Sequence, residues 1–303
     1  MVTTAIIMGL EGHDYGCPDR TRARIGAEDT IESLIQAIIL GVVQGATEFL
    51  PISSSGHLIL TSALFGWEDQ GLGFDVGLHL GTLFVVGAYF WRDWLGMLRS
   101  TAFDVSHGRL LTGARQPTRL LAMIVGATVP AGLVGLMLDD WISSRLREPW
   151  IVATALGVIG LAMWFVDRVA PLRRRIEDMD VRDALIVGLA QTLALVPGVS
   201  RSGVTLIAGL GRGLTRADAA RFGFLLGTPT IAGAAVLEFP SVASEGQSGL
   251  WRLLLGMCVS AAVGFLVVSQ LMRFLRTRTL VPFAIYRIGL ACLVFGVLVA
   301  GVR

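Results

Sequence analysis

An all-α polytopic membrane protein, built as an inverted repeat of six full transmembrane helices plus two re-entrant helix-loop-helix pairs, is the fold that this sequence predicts. Three observations carry the prediction. The 303 residues are 53% hydrophobic and only 16% charged, with a mean hydropathy of +0.68, whereas soluble chains carry about a quarter charged residues. Six apolar runs are each long enough to cross a hydrocarbon layer of roughly 30 Å. Two further apolar regions are each interrupted by a proline and a group of serines, and the two interruptions match.

In chain order, residues 1–30 read as a mobile extension. "TAIIMGL" is apolar but short and lacks a basic flank, so it is not a signal peptide. The single membrane domain then runs over 31–303, with repeat one at 31–166 and repeat two at 183–303. Residues 31–50 run into "PISSSG" and resume as 57–66. The second piece is about ten residues, or about 15 Å of helix, which is half a bilayer; the pair could re-enter, and length alone leaves 31–50 ambiguous. Full spans follow at 74–92, 119–138 and 150–166. Residues 184–196 run into "PGVSRSG" and resume as 204–211, the second re-entrant pair. Spans at 217–239, 250–274 and 282–301 complete the chain.

Charge orients these elements. Arginine is the only basic side chain apart from histidine, and it concentrates in three stretches. These hold Arg92, Arg99, Arg109, Arg115 and Arg119; then Arg168, Arg173, Arg174, Arg175 and Arg182; then Arg273, Arg276 and Arg278. The positive-inside rule makes all three cytoplasmic, which requires both broken regions to return to the side they entered from. Superimposed without gaps, the broken regions align Gln44 with Gln191, Ser53 with Ser200, Ser55 with Ser202 and Gly56 with Gly203. Three spans follow each, so the second copy is inverted, as in many transporters. The net charge of +2 gives no case for a nucleic-acid partner, and none is expected. Cys17, Cys258 and Cys292 have no metal-ligand or disulfide spacing and are expected as buried free thiols.

The serines have a physical purpose. Pro51 ends the first half-helix, and Ser53, Ser54 and Ser55 are good caps for the second. Ser200 or Ser202 does the same in repeat two. Two half-helix N-termini thus converge inside the protein, and each favours an anion. Arg201 adds a fork suited to phosphate oxygens, at a depth where a charge is functional by default. Glu48 lies one turn after Gln44 on the same face, and His57 one turn after Ser54. A carboxylate, a hydroxyl, an imidazole and a guanidinium are the parts of a phosphoryl-transfer site. A structural Glu48–Arg201 pair with purely capping serines is the plainer alternative. His79 and Asp75 share a face near a span end, equally suited to packing or to the site. Arg287 is expected to snorkel.

"GVVQGATEFLPISSSGH" (41–57) and "LVPGVSRSGVT" (195–205) resemble the two signature motifs of the undecaprenyl-diphosphate phosphatase family, bacitracin-resistance type. "FDVGLHLGTL" (74–83) and "PFAIYR" (282–287) are similar to it as well, and the resemblance runs from about residue 31 to the C-terminus. It implies a bacterial plasma-membrane hydrolase of undecaprenyl diphosphate that recycles the lipid carrier of peptidoglycan synthesis and confers bacitracin resistance. Its site would open to the outer, periplasmic face. By motif, Glu48, Ser54, His57 and Arg201 would be catalytic, and Gln44, Ser53, Ser55, Ser200, Ser202 and Thr205 would contact substrate. A divalent cation, Mg2+ or Ca2+, would be held by Glu48 and Gln44. The implied partners are a prenyl diphosphate lipid and the bilayer, with a homodimer admitted. Gln44 departs from the pattern, since many members carry glutamate there; acid–base work then falls on Glu48 and His57. Ser54 is expected to attack phosphorus, with His57 as the rival nucleophile. A flippase for the lipid phosphate is the alternative function, for which Glu48 and Ser54 would be dispensable.

Overall fold

The computed structural model describes residues 31–67, 72–110, 112–146, 148–237 and 246–300; the expected extension over 1–30 and Cys17 lie outside them. Among the described residues there is no strand, and the helices follow the apolar runs. They are α1 (Ile31–Phe49), α2 (Ser54–Phe65), α3 (Leu72–Tyr89), α4 (Trp91–Ser106), α5 (Gln116–Arg145) and α6 (Pro149–Val169). The second half holds α7 (Val181–Thr192), α8 (Arg201–Gly211), α9 (Arg216–Leu237), α10 (Gly246–Phe274) and α11 (Val281–Val299). Five of these, α5, α6, α9, α10 and α11, are long and apolar enough to span a bilayer. A sixth span needs α3 and α4 together, bent by 68° where they meet. The chain is thus an all-α polytopic membrane protein.

Packing repeats between the halves. α10 lies against α1 and α3, α5 lies against α7 and α9, and α6 pairs with α11. In lipid, helices associate through close backbone approach rather than hydrophobic expulsion, which favours small residues at contacts. Gly41 and Gly45 meet α10 in this way: a Cβ on Gly41 would lie 2.7 Å from the Gly256 carbonyl oxygen, and one on Gly45 2.5 Å from that of Ser260. Beneath the broken turns, Phe49 and Phe224 pack edge to face at 5.5 Å, within the largest buried apolar cluster.

Two expectations need correction here. The arginine-rich stretch after Arg92 is not simply a loop, because α4 continues to Ser106. Its buried residues Met97, Ser100 and Asp104 recur at helical spacing, while Trp91, Leu98 and Val105 stay exposed. Cys258 and Cys292 are free, but they are exposed rather than buried, on helix faces turned away from the protein.

The arginine-rich loop before α7 is tied down by Asp183, which is fully buried. It accepts from both terminal nitrogens of Arg174, at 3.1 and 2.6 Å, and from Arg212 Nε at 2.6 Å. It also caps α7 reciprocally with Asp180. Burial pushes the Asp183 carboxyl up, but the Arg174 and Arg212 hydrogen bonds outweigh this and hold it at about 2. A depressed carboxylate pKa stabilises the fold above the unfolded value of about 4 and loses that stabilisation as pH falls from there towards 2. The melting temperature in detergent should therefore drop across that window, and Asp183→Asn should start lower and flatten the drop. An equally steep drop in the variant would rule the network out as its cause.

Candidate active site

The two broken turns meet. α1 ends at Phe49, Pro51 forces the chain to turn, and α2 restarts at Ser54; α7 ends through a short 3-10 turn, and α8 restarts at Arg201. Ser53 and Ser200, the aligned serines, precede the two restarts with φ of 78° and 71°. That left-handed geometry is unusual for a side-chain-bearing residue. Ser200 Oγ accepts from Gly203 N at 3.2 Å and caps α8.

Glu48 is the hub. Ser54 Oγ donates to its Oε2 at 2.6 Å, Gln44 Nε2 donates to the same oxygen at 3.1 Å, and Arg201 Nη2 donates to Oε1 at 2.8 Å. His79 Nε2 stands 3.6 Å from Oε2. Arg201 Nη1 is buried without a partner. Glu48, Ser54, His79 and Arg201 line a cavity of about 220 Å³ with Ser53, Ser55, Gln191, Ser200 and Thr230 among its walls. A nucleophile bonded to a base, beside a fixed guanidinium with one donor to spare, is suited to acyl or phosphoryl transfer onto a serine.

Not every expected residue joins this group. His57 does not touch Ser54 or Glu48. Its Nδ1 meets the Ser53 carbonyl oxygen at 2.7 Å, so the proton lies on Nδ1, and Nε2 accepts from the Tyr286 hydroxyl at 2.7 Å. The two rings also stack. Both nitrogens are engaged away from the cavity, because the α2 restart turns this side chain towards α11. Ser202 donates to the Leu50 carbonyl at 3.1 Å and ties the two turns together. Thr205 donates to the Arg201 carbonyl at 2.9 Å and packs on Gly223. Neither lines the cavity.

Arg287 corrects the snorkelling expectation. It is completely buried and donates to five carbonyls, those of Pro51, Ala155, Leu156, Gly198 and Val199. Breaking two helices inside a membrane frees carbonyls that lipid cannot satisfy, and this one side chain collects them from both turns. The signal in the sequence was indirect: two helix breaks demand donors, and arginine carries five N–H groups. His79 was within reach of sequence reasoning as a polar residue in an apolar run, but its proximity to Glu48 depends on how α3 packs on α1.

The expected Mg2+ or Ca2+ would be held by Glu48 and Gln44. Hard cations want several oxygen ligands, and no group of three or more His, Cys, Asp or Glu side chains suited to a metal occurs among the described residues. Both Glu48 oxygens are already engaged, one by a guanidinium. Gln44 Oε1, by contrast, is buried without a partner one turn before Glu48, and it is the oxygen of the expected pair left vacant for a cation.

Gly227 on α9 lies directly beneath the guanidinium: a Cβ there would coincide with Arg201 Nη1. Gly227→Ala should therefore displace Arg201, which can swing aside, and leave the fold intact. Turnover should fall about 10²-fold or more, the scale of losing one transition-state donor, with little change in melting temperature. Wild-type turnover in this variant would mean that Arg201 has no set position during catalysis.

The family model for bacitracin resistance protein BacA matches residues 37–293. Curated relatives named undecaprenyl-diphosphatase are similar over most of their length. The protein of Moorella thermoacetica is 42% identical over 88% of this chain and 98% of its own. That of Rubrobacter xylanophilus is 44% identical with the same coverage, and that of Gemmatimonas aurantiaca is 43% identical over 87% and 97%.

Proposed function

The chain belongs to the bacitracin resistance protein BacA family, and from that premise we propose how the site described above performs the reaction. The protein is an undecaprenyl-diphosphatase: it hydrolyses undecaprenyl diphosphate to undecaprenyl phosphate and inorganic phosphate. The carrier lipid so regenerated serves cell-wall synthesis, and its release underlies bacitracin resistance.

The observation that carries the mechanism is the 2.6 Å hydrogen bond from Ser54 Oγ to Glu48. Ser54 attacks the terminal phosphorus and its proton passes to Glu48 Oε2. The Oγ–P bond forms as the bond to the lipid-linked phosphate oxygen breaks, and undecaprenyl phosphate leaves. Arg201 Nη1, the donor without a partner in the protein, takes an oxygen of the transferring group. The free N–H groups at the start of α2 and α8 take the others. Charge compensation rests on these groups, which need no reorganisation when the reaction occurs. Water then cleaves the phosphoserine.

We read the chain as a bacterial inner-membrane protein, oriented by the positive-inside rule with its arginine-rich loops in the cytoplasm. In this orientation the turn between α1 and α2 dips in from outside, and the site takes its lipid from the periplasmic leaflet. The flippase reading is not favoured, because a carrier has no work for a base bonded to a nucleophile.

The test is release of phosphate from undecaprenyl diphosphate by purified protein in detergent, beside Ser54→Ala. Release by the wild type and none by the folded variant supports Ser54 as nucleophile. Undiminished release by Ser54→Ala would exclude it.

A further inference from the structure

Cleaving a phosphoserine requires a base for water, and Glu48 is not available for it. Having taken the Ser54 proton, Glu48 must hold it and return it to the departing Oγ. His57 has both ring nitrogens occupied outside the cavity.

We infer that His79 is the base that activates the hydrolytic water, and that Gln191 aims this water. The inference rests on Ser54 forming the phosphoenzyme. His79 Nδ1 lies 2.8 Å from the Asp75 carbonyl oxygen, an atom that only accepts, so the proton lies on Nδ1. Nε2 stands on the cavity wall 3.6 Å from Glu48 Oε2, and once Glu48 holds the Ser54 proton its lone pair has no carboxylate opposite it. Glu48, Arg201 and His79 are the ionisable side chains lining that cavity. Of the three, His79 alone is free to take a proton at this stage.

Gln191 supplies the second half. Its Nε2 donates to Thr230 Oγ1 at 3.0 Å, and that hydroxyl spends its own proton on the Leu226 carbonyl at 3.3 Å. The amide orientation is therefore fixed, and Gln191 Oε1 is buried with no partner on the wall of the cavity. An unsatisfied carbonyl oxygen repels a phosphate oxygen; it suits a donor. Water has two protons to give, and His79 Nε2 and Gln191 Oε1 are two acceptors on the cavity wall that can take them.

The step balances. The water oxygen bonds to phosphorus while the Ser54 Oγ–P bond breaks; one water proton goes to His79 Nε2, and Glu48 returns its proton to Oγ. The other water proton stays on the phosphate. The step leaves a Glu48 carboxylate beside a His79 imidazolium, with the atoms 3.6 Å apart in the resting structure, so their attraction favours completion. His79, partly open to solvent through the cavity, then gives up its proton as phosphate departs.

The experiment uses full-length protein in detergent and undecaprenyl diphosphate radiolabelled in the terminal phosphate, quenched during turnover and mapped by peptide. His79→Gln should release one undecaprenyl phosphate per enzyme and then stall. Label should accumulate on Ser54 while steady-state turnover drops about 10²- to 10⁴-fold, the contribution of a general base. Added imidazole should restore turnover in His79→Ala. Gln191→Leu should also accumulate label on Ser54, without imidazole rescue, and it carries the test alone if the His79 variants do not fold. Transient label on Ser54 in the wild type with no accumulation in these variants overturns this inference and leaves the Ser54 mechanism standing. Acid-labile label on a histidine in the wild type overturns both.

Discussion

Glu48→Gln is expected to lower turnover by about 10³-fold or more, because residues that act as a unit in nucleophilic catalysis fail together. The amide cannot take the Ser54 proton, and it removes the charge that fixes Arg201. Glu48 is 6% and Arg201 14% exposed at the side chain. Breaking a buried ion pair on one side typically costs about 3–5 kcal/mol, since the other charge remains. The variant should therefore melt lower as well as turn over slowly. The two effects separate with Glu48→Gln/Arg201→Gln, which should regain stability but no activity. A Glu48→Gln protein retaining a tenth of wild-type turnover would mean that Ser54 does not need this base.

The second large effect is structural. Arg287→Leu would strip the donor from the turn carbonyls of Pro51, Gly198 and Val199, at about 1–3 kcal/mol for each that finds no other partner, while Ala155 and Leu156 keep their partners within α6. Even two or three such losses are comparable with the total stability of many proteins, about 5–15 kcal/mol. The variant is expected to accumulate poorly, or to lose both turns and all activity. Arg287→Lys should recover only part of this, since three donors on one atom cannot reach five acceptors spread over three segments. Thermal unfolding in detergent, compared with the wild type, checks both. An unchanged melting temperature for Arg287→Leu would mean that the carbonyls are satisfied some other way.

Much of this architecture was legible in the sequence because lipid imposes simple rules. Apolar length marks out the spans, and Pro51 with the serines after it marks the first break. Glu48, Ser54 and Arg201 were legible as a group because a charge that deep needs a reason. The rest depended on packing. Whether His79 or His57 faces the nucleophile turns on the rotation of α2 and α3 about their axes, which a repeat of small and apolar residues leaves open. Arg287 escapes a sequence reading because its distance from a helix end suggests snorkelling, whereas its partners come from segments some 90 to 240 positions earlier in the chain. The helical character of α4 was masked by its arginines, although Met97, Ser100 and Asp104 already stood on one face.

Three separate ties hold the two turns to each other: Glu48 with Arg201, Ser202 with the Leu50 carbonyl, and Arg287 with Pro51 on one side and Gly198 and Val199 on the other. Alternating access works by rocking one repeat against the other about a central ligand, so the halves must part at that point in each cycle. Here the meeting point is riveted in a medium that offers no replacement partners. A layout that rocks in a carrier is here a rigid anvil, which suits a headgroup that comes to the seam and leaves by the way it came.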